Sequence, residues 1–106
     1  MPTLKHIALI AALALPAAPT RADTETCTLL GKLAGQVMAN RQAGIPLSSA
    51  LAIAPDDGST FAVMFRGIIM SAYDTPRWHT PSMQRRAAED HRDMAEQACF
   101  RATRND

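Results

Sequence analysis

Aromatic residues are scarce in this chain: three Phe, one Tyr and one Trp among 106 residues. Cysteine is scarcer, with only Cys27 and Cys99. No CxxC and no clustered histidine accompany them, which argues against a metal centre. An excess of either charge is also missing. The sequence holds 11 Lys and Arg against 10 Asp and Glu, too even a balance to attract nucleic acid or anionic lipid. No apolar run reaches the roughly 20 residues that span a bilayer. Alternating apolar and polar stretches of strand type have almost no representation.

Catalytic patterns are lacking too. Ser48, Ser49, Ser59, Ser71 and Ser82 stand outside any G-x-S-x-G context. The carboxylate pair Asp56-Asp57 lies in turn sequence, where solvation is the default. Met38, Met64, Met70, Met83 and Met94 are spread over helical core positions, not gathered as copper ligands. These absences lead us to expect no enzyme, no catalytic residue, no cofactor and no bound metal.

What is present begins with a leader. Lys5 and His6 precede the apolar run Ile7 to Leu15, then Pro16 and the small-residue end Thr20-Arg21-Ala22. This is the pattern of a secretory signal peptide over residues 1–22, with a single domain over 23–106. Thr24-Glu25-Thr26 before Cys27 lacks the residues of a lipoprotein site. A periplasmic or secreted protein is expected, without stable membrane insertion after cleavage. Losing Lys5 and Arg21 leaves nine basic residues against ten acidic. In an oxidising compartment Cys27 and Cys99 have one intramolecular pairing, worth about 4 kcal/mol in the chain-entropy picture. The competing uses are an intermolecular bridge or a metal pair.

The spacing predicts four helices. From Thr24 to Ala43, Cys27, Leu30, Ala34 and Val37 form a stripe widened by Leu33 and Met38, with Lys32, Gln36, Asn40 and Gln42 on other faces. Gly44 and Pro46 stop it. A two-turn helix follows, with Ser48 as its expected N-cap. Ser59 or Thr60 caps a third helix, ending near Tyr73 or Asp74, that is apolar nearly all round and so expected to be central and buried. Gly67 inside it costs roughly 1 kcal/mol, for which close approach of another helix would compensate. Thr80 and Pro81 open a fourth helix running to about Ala102, with Met83, Ala87, His91, Met94, Ala98 and Ala102 on its core face. The expected fold is all-α: a small three- to four-helix bundle whose disulfide joins antiparallel first and last helices.

The order Cys27, R-Q-x-G-x-P-L-S at Arg41 to Ser48, A-Y-x-x-P-R at Ala72 to Arg77 and Cys99 resembles small secreted helical proteins of Gram-negative bacteria and their phages. That resemblance implies a periplasmic setting, a helical fold and the Cys27–Cys99 bridge, and it implies no activity. In plan, though not in motif, the chain is also similar to small two-cysteine acid-stress chaperones of the periplasm.

Three places are candidates for function. Tyr73, Asp74, Arg77, Trp78 and His79 combine aromatic area with polar handles, the composition of an interface. The alternative is that Tyr73 and Trp78 close the end of the bundle while Asp74 and Arg77 pin the turn. Arg41-Gln42, at a helix C-terminus before Gly44, offers an arginine that suits either ligand binding or a structural pin. His91, within an apolar stripe, is either a satisfied core imidazole or a pH switch. The expected activity is binding of another periplasmic protein; the alternative is an acid-responsive periplasmic chaperone.

Overall fold

The computed structural model describes residues 21–104, with side chains from 24 to 103. The leader over residues 1–20 lies outside the described residues, and Arg21 and Ala22 form the first residues of a helix. Four helices follow in order: α1 (Arg21–Gln42), α2 (Leu47–Ala52), α3 (Thr60–Asp74) and α4 (Pro81–Arg104). No strand occurs among the described residues, and no helix there is long and apolar enough to cross a membrane.

The helix ends follow local chemistry. Ser59 Oγ accepts from the Ala62 N–H at 3.1 Å and starts α3, while its own N–H donates to Asp57 Oδ1 at 3.0 Å. Hydrogen bonding from the Ser59 side chain first, and from its N–H second, stabilises the ionised Asp57 carboxylate and lowers its pKa. Thr80 Oγ1 accepts from the Met83 N–H at 3.3 Å at the start of α4. At the end of α1, Gly44 takes φ +86°. The Ile45 N–H then reaches Asn40 O and the Gly44 N–H reaches Arg41 O, both at 3.0 Å. These are the two bonds of a Schellman stop, which needs a residue free to turn left-handed. The short helix departs from expectation. It begins at Leu47 with Pro46 in the cap position and no side-chain cap, so Ser48 lies inside its first turn.

The core is built on α1. It packs chiefly against α4 and then α3, while α2 covers α3. Cys27, Leu30, Val37, Met38 and Ile69 are the largest fully enclosed side chains, four of the five from α1. The expectation of a central, all-round buried α3 is corrected: Phe65, Ile68, Ile69 and Ala72 face inward, but Val63 is 65% exposed and Met70 46%. An apolar stripe on a helix needs only one neighbour, and α3 has its neighbours on one side.

Cys27 and Cys99 are joined, 72 residues apart in sequence, and enclosed at 0% and 3% exposure. The bridge makes α1 and α4 antiparallel, as expected, and sets the rotation of α4. With Cys99 inward, His91 and Ala95 are buried and Ala87 and Ala88 half-buried. Met83, Met94, Ala98 and Ala102, expected on the core face, are exposed. The actual face is turned by part of a residue step from the one that periodicity alone selects.

Small residues bring α1 and α4 together. A β-carbon built on Gly35 would lie 3.5 Å from Ala88 O and from Arg92 Cβ, and one built on Gly31 would run into the Glu96 side chain. The Glu96 carboxylate is held by Arg92 Nε at 3.2 Å. Gly67 on α3 is different: a β-carbon there would meet nothing within 4 Å. The close helix expected at Gly67 is therefore not supplied by the described residues.

Candidate functional site

Two segments that the sequence singled out meet at one end of the bundle. The C-terminus of α1 sends side chains to the backbone after α3, and the loop after α3 answers in kind. Arg41 Nε donates to Thr75 O at 3.2 Å, and its guanidinium lies 5.4 Å from the centroid of the Tyr73 ring. Gln42 Nε2 donates to Pro76 O at 2.9 Å, and Gln42 Oε1 accepts from the Trp78 N–H at 2.7 Å. In return, Tyr73 Oη donates to Ile45 O at 2.7 Å. Arg77 Nε donates to Gln42 O at 3.4 Å, with its guanidinium resting against Gly44. The prolines in both segments leave carbonyls with no helical partner, and long side chains from the opposite segment reach them.

Gln42 is the centre of this clasp. It is only 3% exposed, although the helical pattern places it away from the core stripe. The carboxamide matches one backbone donor and one backbone acceptor at once, which neither a carboxylate nor an ammonium could do. Its partners lie 34 and 36 residues away in sequence, so no local signal marks its role.

The candidate residues separate accordingly. Arg41, Tyr73 and Arg77 are brought together as parts of the clasp through Arg41 Nε, Tyr73 Oη and Arg77 Nε. Asp74 and His79 are exposed at its edge. Trp78 is held by its backbone on both sides, since Gln84 Nε2 also donates to Trp78 O at 2.8 Å. Its indole remains 36% exposed. A pinned backbone beneath a partly open ring is a pre-organised contact.

Beside Trp78 lies a groove. α3 and α4 both lean on α1 but make no comparable backbone contact with each other. The seam between them is open as three adjoining cavities. One of about 200 Å³ is lined by Thr26, Phe61, Met64 and Ala102 over Leu30. The next, about 180 Å³, shares Leu30 and Met64 and adds Gly67, Ile68, Ser71, Met94 and Ala98. The third, about 310 Å³, shares Ser71 and Met94 and reaches Trp78, Asp90 and His91 over Met38. A larger hollow of about 340 Å³ lies among Ser82, Met83, Arg85, Arg86 and Glu89, all from α4, and so has no second wall.

His91 sits in the wall of the third cavity, 6% exposed, apart from the clasp. Its Nε2 lies 2.9 Å from Ile68 O. As Ile68 O can only accept, Nε2 carries the proton. Burial disfavours the charged ring and lowers its pKa, and the bond to Ile68 O opposes this in part. A single imidazole therefore ties α4 to α3 across the seam.

The fold and site define a disulfide-clamped helical bundle with an uncovered apolar seam between α3 and α4. No protein-family model, curated protein or solved structure matches the chain.

Proposed function

We propose that the protein acts by binding another protein outside the cytoplasm, without catalysis, through the seam between α3 and α4 and the tryptophan at its mouth. The carrying observation is Trp78: its backbone is bonded to Gln42 and Gln84, and its indole stands partly exposed beside Asp90 and His91. Aromatic side chains in a fixed, half-open setting contribute most to protein interfaces because little entropy is lost on contact. The enclosed disulfide supports an oxidising compartment. The leader pattern supports export, and the resemblance to small periplasmic helical proteins points the same way. The loop from Tyr73 to His79 contributes Trp78 and the exposed Asp74 and His79, while Arg41, Tyr73 and Arg77 hold the shape.

Crosslinking from periplasmic extract tests this, using the oxidised protein and Trp78→Ala side by side. One dominant partner that disappears with the substitution is the expected result. Capture of no partner by either protein would remove the proposal.

The buried His91 favours a second reading, an acid-responsive chaperone. Protonating an enclosed imidazole would loosen α4 from α3 and expose the apolar interior around Met38, Phe65 and Ile69. Loss of near-UV dichroism with gain of apolar-dye binding in mild acid, both suppressed by His91→Gln, would support it. A spectrum unchanged to pH 4 would exclude it.

A further inference from the structure

The seam asks for an elongated apolar occupant, and its one charged end narrows the chemistry. Its middle section is lined by Leu30, Met64, Ile68 and Met94 with no charged side chain. Only at the Trp78 end does a carboxylate, Asp90, reach the lining. An indole face beside a carboxylate suits a cation, by attraction to the ring and by charge pairing. The walls are two helices and the floor a third, so a helix laid in the seam would complete a four-helix arrangement. Methionines on both walls adapt to varied side chains. Gly67 has no use within the described fold, since the space above its α-carbon is open, and it sits where an incoming helix backbone would come closest.

Resting on the binding role proposed above, we infer that the occupant is an amphipathic helix of another protein, laid along the α3–α4 seam with a Lys or Arg bounding its apolar stripe at the Trp78–Asp90 end. An acyl chain would fill apolar space equally well but has no need of the glycine or of the carboxylate. The occupant's cation answers Asp90, and its backbone passes over Gly67.

Trp78 is the only tryptophan of the chain, so its emission reports on the site directly. The oxidised chain is titrated with two 18-residue Ala/Leu/Gln helical peptides that are alike except for a Lys or a Glu bounding the apolar stripe. The expected result is a saturable emission change, with the Lys peptide about threefold tighter, as for an exposed interfacial charge. Asp90→Asn should abolish that preference. Gly67→Leu should weaken both peptides about tenfold, by filling the seam, while leaving the thermal unfolding of the free protein no lower. Equal affinity for both peptides, each blocked by Gly67→Leu, would overturn the cationic end and leave helix binding standing. No saturable change with either peptide, or saturation by lysophosphatidylcholine alone, would overturn the helical occupant altogether.

Discussion

Two seams run along this bundle, and glycine behaves oppositely in them. Between α1 and α4, Gly31 and Gly35 face Glu96, Ala88 and Arg92 at contact distance, and the disulfide closes one end. Between α3 and α4, Gly67 faces open space, and the polar tie across the seam is His91 to Ile68 O. In the first seam the backbone entropy cost of a helical glycine is offset by close packing. In the second it is offset by nothing among the described residues. The closed seam stabilises the fold, and the open one presents Met94 and the Trp78 ring to solvent.

The largest way to break this contrast is to cut the closed seam at its clamp. Reducing Cys27–Cys99, or replacing both residues with Ser, should lower the stability by about 4 kcal/mol, because the unfolded chain regains the freedom of a long loop. Urea unfolding with and without reductant reads this directly. Next comes the clasp that sets the path of the chain from α3 to α4. Gln42→Ala should cost about 2 kcal/mol, since it strands the Trp78 N–H and the Pro76 carbonyl, and a change in Trp78 emission should accompany the loss.

The glycines themselves sharpen the comparison. Gly35→Leu should destabilise by about 2 kcal/mol through overpacking against α4. Gly67→Ala should stabilise by up to about 1 kcal/mol, as an alanine in an open helical site does. Thermal unfolding of the two variants should therefore move in opposite directions. If both lost stability, the α3–α4 seam would be closed in solution.

The smallest effect is a dependence on pH. The folded protein holds the pKa of His91 below its ordinary value. Between that lowered pKa and about 6.5 the unfolded chain binds more protons than the folded one. The contribution of His91 is thus fully present above about pH 6.5 and is lost as pH falls toward the folded pKa. His91→Gln, which keeps a donor for Ile68 O, should flatten the decline in denaturant midpoint between pH 7 and 5. A slope unchanged by the substitution would assign it to other groups.

Much of this was open to reading in the chain. The stops at Gly44 and Pro46 and the starts at Ser59 and Thr80 follow from backbone chemistry a few residues long, and the helices came out within a few residues of expectation. Periodicity alone misplaces the inward face of α4, because Met83, Met94 and Ala98 make as good an apolar stripe as Ala88, Ala95 and Cys99. Cys99 is the better marker of the inward face, since a bridged cysteine must point at its partner.

By itself the sequence determined an all-helical chain, the positions of its breaks, and a single cross-link between its first and last helices. Local periodicity, proline and glycine stops and the count of two cysteines are enough for that. Only the tertiary structure decided that α1 and not α3 is central, that Gln42 is buried while Trp78 is half open, and that Gly67 looks onto an empty seam. Each of these depends on which helix lies opposite, across contacts 23 to 36 residues apart, and no local pattern encodes that.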